Sequence, residues 1–230
     1  MYYLLMIKII KLDSINSTNT FAATEGQTQI ARLQHGDRPE LQFAVIADEQ
    51  TEGRGRYGKS FYSPKGKGVY LSYVCEGNYA LSELQQVTVV AAAIVHKVLQ
   101  QHCSEALAIK WINDIYRGER KVAGILSERV DDPSGSGRYC IVIGVGVNVI
   151  PSEVPEELRQ TVGWLQDEGC DEGKAAVRAG EIEVIASELV AELDATFGEG
   201  RADDFPALID YYRSNCYNLP LDFTDKLFNE

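Results

Sequence analysis

Three short stretches of the chain concentrate side chains that can hold and polarise an anion. The first is Gly53-Arg54-Gly55-Arg56-Tyr57-Gly58, two guanidinium groups on a backbone interrupted by glycine. Arginine carries a permanent charge on a planar fork that matches carboxylate and phosphate oxygens, and glycine lets the backbone approach such a ligand. A loop of this kind could fold over a bound acyl phosphate and order itself in doing so. The second stretch, Lys110-Trp111-Ile112-Asn113-Asp114, gathers an ammonium, an amide and a carboxylate at the end of a buried strand. The third, Lys121-Val122-Ala123-Gly124-Ile125-Leu126-Ser127-Glu128, sets a lysine at the start of an otherwise apolar strand, and its charge must reach a polar site or solvent because an unpaired buried ammonium is costly. Beyond them, Gly144-Val145-Gly146-Val147-Asn148 sets two glycines and an amide in a strand, as where a ligand or another backbone passes close. Taken singly, each has a plainer explanation: a solvated basic turn, lysines at strand edges, the ordinary glycines of a sheet.

The glycine loop also satisfies G-x-G-x-x-G, and Glu76 lies roughly where a ribose-binding acid would be. A dinucleotide site, however, needs a helix to open at the last glycine, so that its N-terminus faces the pyrophosphate. Pro64, Gly66 and Gly68 follow instead and prevent one. The chain contains no D-F-G or H-R-D, so a protein-kinase loop is unsupported as well. His35, His96 and His102 all lie outside the motifs, and no histidine is assigned a catalytic role.

The elements that must position these residues are legible from periodicity and turn chemistry. Residues 4–12 read as a strand, and 13–19 as a helix start rich in Ser, Thr and Asn that leads into Phe21, Ala22 and Ala23. Residues 42–47 predict a buried strand, 51–68 a loop with five glycines and a proline, and 69–75 a second strand. Ser82 with Gln85 forms a capping box for a long helix whose apolar face is Val87, Val90, Ala91, Ile94, Val95 and Val98. Strands are expected over 108–112, 121–130 and 138–150, the last two joined as a hairpin by the turn residues 131–137. A helix over 175–197 buries Ile182, Ile185, Leu189 and Leu193, and Asp204 with Pro206 starts a last one reaching about residue 215. Runs of strands with a few long helices, partly joined by hairpins, predict an α+β fold with a mixed sheet.

Composition narrows the classes. At 230 residues the chain can bury one sizeable core, and 45% hydrophobic with 24% charged residues is the mix of a soluble globular protein. A net charge of −12 disfavours a broad nucleic-acid-binding surface, and no basic helix is present. Five widely spaced cysteines without a C-x-x-C pair suggest neither a zinc ribbon nor a disulfide scaffold, and point to reduced thiols in the cytoplasm. The N-terminal charges, Lys8 and Lys11, follow the apolar residues instead of preceding them, against a secretory signal, and the longest apolar runs are too short or interrupted to span a bilayer.

Together and in this order the motifs resemble the biotin protein ligase family, from about residue 12 to 148 and more loosely to 215. The resemblance implies a largely antiparallel mixed sheet flanked by helices, the catalytic fold shared with lipoate ligases and class II aminoacyl-tRNA synthetases. It implies that Asp13-Ser14-Ile15-Asn16-Ser17-Thr18-Asn19, with two residues inserted before Ser17, and Gln50 reach the biotin ring system. Gly53, Arg54, Gly55 and Arg56 would form the adenylate-binding loop, while Lys121, with Gly124 beside it, would meet the biotin carboxylate and the acyl phosphate. Phe61, Lys110, Asn113 and Asn148 fall on the nucleotide side. Asp114 would steady magnesium arriving with ATP. Departures are Tyr57 and Lys59 in place of frequent arginines, Phe61 in place of a tryptophan, and Ile112 in place of a proline.

The activity implied is formation of biotinyl-AMP from biotin and ATP, with Lys121, Arg54 and Arg56 catalytic. Transfer of biotin to a lysine of a biotin carboxyl carrier protein domain of a biotin-dependent carboxylase follows. No nucleic-acid or membrane partner is implied, and a homodimer is compatible with the resemblance. Residues 1–215 are expected to be the catalytic domain and 216–230 a short tail where the family's small β-barrel would begin, absent or truncated here. With about a dozen residues ahead of the core, the DNA-binding domain of some relatives is expected to be absent too. Two rivals stand beside this reading. One is a lipoate-type ligase of the same fold, which would ordinarily show an Arg-Arg-x-Ser-Gly-Gly-Gly loop. The other is a non-catalytic binder of biotinyl-AMP.

Overall fold

A computed structural model describes residues 7–33, 41–77, 84–166, 175–198 and 205–228. Seven strands form one sheet: β1 (Lys8–Leu12), β2 (Phe43–Ala47), β3 (Gly68–Glu76), β4 (Leu107–Lys110), β5 (Asp114–Arg117), β6 (Arg120–Asp131) and β7 (Tyr139–Asn148). Their order is β1-β2-β3-β7-β6-β5-β4. Only β1 and β2 run parallel; the other five neighbour pairs are antiparallel. The α+β mixed sheet expected from the sequence is therefore the architecture found.

Alternation along β7 divides the sheet into two faces. Ile141, Ile143, Val145 and Val147 enter the larger apolar cluster, whereas Cys140 and Val142 enter a smaller one. Helix α1 (Thr18–Leu33) covers the smaller cluster, lying against β2, β3 and β7. Ser17 caps α1, its hydroxyl accepting the Thr20 N–H at 3.4 Å. Helices α2 (Leu84–Gln101) and α3 (Ala175–Phe197) cover the opposite face, and α4 (Phe205–Asn215) packs on α2. The predicted apolar face of α2 is buried throughout, together with Val89, Ala92, Ala93 and Leu99, because sheet and helices enclose it on several sides. Ile185, Leu189 and Leu193 of α3 are buried as expected, with Ile182 partly so. Residues 4–6 of the first expected strand, the capping Ser82 and Asp204 lie outside the described residues.

One region differs from the expectations. The strand expected over 108–112 ends at Lys110, Trp111–Asn113 turn the chain, and an additional strand, β5, pairs between β4 and β6. Asp-Ile-Tyr-Arg is too short to display a period, and Gly118 at φ 56 closes its turn into β6. The Trp111–Ile112 peptide is cis. Beyond residue 215 the chain stays on the sheet: Cys216 bridges Ile109 on the β4 edge, and Tyr217 donates its N–H to the Ile109 carbonyl at 3.2 Å. A fifth helix, α5 (Phe223–Phe228), follows, with Phe223 and Leu227 buried in the larger cluster. Phe223 meets Trp111 edge-on at 5.6 Å and stacks on Tyr212 at 6.1 Å.

Candidate active site

The cleft opens on the α1 face of the sheet, where α1 begins and the side chains of β7 vanish. Gly144 and Gly146 follow Val142 on that face, and each is replaced from above by a neighbour. A Cβ on Gly144 would collide with the Asn19 side chain, and one on Gly146 would lie 2.6 Å from the Phe61 ring. Across the sheet, Gly124 of β6 pairs with Gly146, so the floor stays bare over two strands. The resulting hollow encloses about 450 Å³ with its mouth.

Its inner end is a polar network. Gln50 Oε1 accepts from the Thr18 N–H at 2.9 Å and from the Thr18 hydroxyl at 3.1 Å, while Gln50 Nε2 donates to Ser63 Oγ at 2.9 Å. The Ser72 hydroxyl lies 2.6 Å from Asn19 Oδ1 and 2.9 Å from Thr18 Oγ1. These bonds fix each amide and hydroxyl in orientation, as a site that recognises a small polar ring requires.

The other end carries the charges. A β-bulge brings Lys121 there: Ile115 pairs with Ala123 and Tyr116 with Lys121, leaving Val122 without a partner on β5. Val122 and Ala123 both enter the larger core, so the added residue turns Lys121 out to the cleft face. Its ammonium donates to Asp114 Oδ1 at 2.6 Å, lies 6.0 Å from the centre of the Phe61 ring, and would lie 2.9 Å from a Cβ on Gly124. Residues 53–61 form a small hairpin of their own, with Gly55 N–H on Lys59 O at 2.7 Å and Phe61 N–H on Gly53 O at 2.8 Å. Arg56 at its tip donates to Asn113 Oδ1 at 3.3 Å and to the Tyr57 hydroxyl at 3.0 Å, with the guanidinium 4.9 Å from the Tyr57 ring centre. Tyr57 takes φ 57, a left-handed conformation uncommon for a non-glycine residue. Arg54 is bound by both nitrogens to Glu128 at 3.1 and 2.7 Å. Of the three cations, Lys121 and Arg54 are matched by carboxylates, whereas Arg56 is bonded to a neutral amide and a phenol.

Of the residues singled out in the sequence, Ser17, Thr18, Asn19, Gln50, Arg54, Gly55, Arg56, Phe61, Asn113, Lys121 and Gly124 line this one cleft. Gly53 sits just beneath, where a Cβ would strike the Phe61 carbonyl. Asn148 lies behind Lys121 and donates to its carbonyl at 3.4 Å. Lys110 is held apart, its ammonium 4.8 Å over the Tyr116 ring; Tyr116 is the main cause raising its pKa, so it remains charged. Asp114 is Lys121's partner, and among the described residues no cluster of three or more acids, histidines or cysteines is placed to hold a metal ion. The reading of the sequence missed Glu128, Ser63 and Ser72. Glu128 is the last residue of the Lys121 segment, and no spacing marks it out for a role.

The Biotin/lipoate A/B protein ligase family model matches residues 12–148. The chain belongs to that family. Among family relatives, the bifunctional ligase/repressor BirA of Escherichia coli is 31% identical over 193 residues, 83% of this chain and 55% of that protein. The biotin--[acetyl-CoA-carboxylase] ligase of Paracoccus denitrificans is 38% identical over 107 residues, 46% of this chain and 43% of that one. The chain thus spans about half the length of the curated relatives it matches. Among solved structures, the biotin protein ligase of Aquifex aeolicus in complex with biotin and ATP superposes with a TM-score of 0.60 at 25% identity, covering 92% of this chain and 79% of that one. The expected class II synthetase-like catalytic fold is the fold of these family structures. No helix among the described residues is long and apolar enough to cross a membrane.

Proposed function

We propose that the chain is a biotin protein ligase, forming biotinyl-AMP from biotin and ATP and passing biotin to a lysine of a biotin carboxyl carrier protein. The observation that carries this reading is the pairing of an oriented polar end with a cationic end in one glycine-floored cleft. Thr18, Asn19 and Gln50 suit a small neutral ring rich in donors and acceptors. Lys121 and Arg56 then stand where that molecule's carboxylate meets the α-phosphate. Neither anion attacks the other readily in water; held between two cations, both are brought to contact distance and the charge growing in transfer is stabilised.

In the first step a carboxylate oxygen of biotin bonds to the α-phosphorus and pyrophosphate leaves. In the second the carrier's ε-amine attacks the acyl carbon, AMP leaves, and the amine's proton passes to solvent. No enzyme nucleophile is needed. Asp114 keeps Lys121 extended toward the cleft, and Asn113 does the same for Arg56. Magnesium would come with the nucleotide phosphates and neutralise departing pyrophosphate.

The test is incubation with ATP, magnesium and biotin, with mass detection of biotinyl-AMP, and parallel arms with lipoate and with a carrier domain. Biotinyl-AMP followed by a labelled carrier is expected. Lipoyl-AMP alone would establish the lipoate-type reading. Tight binding of supplied biotinyl-AMP with no synthesis would establish the non-catalytic one.

A further inference from the structure

Glu128 closes the lysine segment with no role given to it by the sequence, yet it joins the glycine-arginine loop to the polar end of the cleft. Its carboxylate accepts both Arg54 nitrogens, at 3.1 and 2.7 Å, and the Asn19 Nδ2 at 2.9 Å. The backbone bonds of the 53–61 hairpin close that hairpin on itself and do not fix how its tip lies across the cleft. Two side chains do so: Arg54 ties it to β6 through Glu128, and Arg56 ties it to the β4–β5 turn through Asn113. The Arg54 tie is the stronger, a bidentate ion pair, whereas that of Arg56 runs to a neutral amide. If Arg54 turned to an incoming phosphate, Glu128 would lose its counter-charge beside a second anion, and like charges at that range repel. Arg56 can turn at much smaller cost.

We infer that Arg54 is a strap and not an anion ligand. Through Glu128, a positioning residue, it holds the loop over the cleft before any ligand arrives and leaves the anions to Arg56 and Lys121. A loop already held spends less ligand affinity on ordering itself. The kinetic consequence rests on the proposed ligase reading; the holding of the loop rests on geometry alone.

The experiment compares the parent with Glu128→Gln, Arg54→Glu, Glu128→Arg and the double reversal Arg54→Glu/Glu128→Arg. One readout is tryptic cleavage after Arg56 and Lys59 in the ligand-free protein, which needs no activity. The other is the KM for ATP, set against kcat, in biotinyl-AMP formation. Each single variant should cleave faster and show a higher KM by about threefold to tenfold, with a smaller change in kcat, as expected for a half-exposed bidentate pair. The double reversal should recover most of both. Recovery of the slow cleavage without the KM would overturn the inference, because it would mean that the guanidinium at 54 meets the nucleotide. Unchanged cleavage in Glu128→Gln, which keeps the acceptor for Asn19 and the side-chain shape, would overturn it independently of whether the reversed variants fold. Should the parent make no biotinyl-AMP, the ligase reading fails and cleavage alone still decides the strap.

Discussion

The two faces of the sheet share seven strands and differ in what the alternation delivers. Toward α2 and α3, β7 presents Ile141, Ile143, Val145 and Val147 without a break. Toward α1 it presents Cys140 and Val142 and then Gly144, Gly146 and Asn148. The apolar residues stop beside the first turn of α1, and the cleft begins there. One face is given to stability; the other is stabilised only along half its length, and the bare half carries the site. On the buried half burial pushes the Cys140 thiol up to about 12, so it remains a small packed side chain.

The largest effect should come from breaking the stable face. Leu99→Ala removes a fully buried side chain of α2 and should destabilise by about 2–5 kcal/mol. Denaturant unfolding would show this, while the KM for biotin at 20 °C or below should stay at the parent value. A raised KM would mean that the faces are coupled. Lys121→Ala probes the other face. It removes one charge-assisted contact to the reacting groups, so adenylate formation should fall about a hundredfold, roughly 3 kcal/mol, with the thermal midpoint near the parent's. A parent-like rate in the folded variant would reduce the lysine to a strut for Asp114.

The smallest effect concerns a titrating group on the stable face. His96 of α2 is buried, with Nδ1 3.0 Å from the Tyr211 hydroxyl and Nε2 3.1 Å from the Leu107 carbonyl. A carbonyl can only accept, so Nε2 carries the proton and Nδ1 accepts from Tyr211. Burial lowers the imidazole pKa from its ordinary value of 6.5. The folded state therefore binds the proton less readily than the unfolded one. Its contribution is complete above pH 6.5 and is lost as the pH falls below that value toward the lowered one. Unfolding midpoints between pH 7.5 and 5 should fall for the parent, and by less in His96→Gln. Equal falls would clear His96 of the effect.

How much of this was legible in the sequence follows from which physical rule each part obeys. Helices α2 and α3 and the β6–β7 hairpin show their period or turn chemistry within a dozen residues, and the structure has them where the pattern does. The glycine-arginine loop and the lysine motif announce themselves by residue type. Three things do not. β5 is four residues long, and its pairing with β4 and β6 is a tertiary fact. The tail's attachment to Ile109 and Trp111 depends on an open sheet edge that no local pattern displays. Glu128 looks like any polar residue of an alternating strand; only the fold brings it to Arg54, 74 positions earlier in the chain. Lys110 stands apart from its motif neighbours for a related reason: Asn113 lies in the turn that ends β4 and Asp114 begins β5.

The bulge at Val122 has a bearing on redesign. Strict alternation back from Ile125 would send residue 121 into the layer beneath α2, among valines and isoleucines, with no counter-charge for an ammonium. The cation of the cleft is thus set by a count of backbone residues as much as by the choice of lysine. Grafting Lys121 through Leu126 onto a regular strand would copy the letters and deliver the charge to the wrong side of the sheet. The extra residue must travel with them.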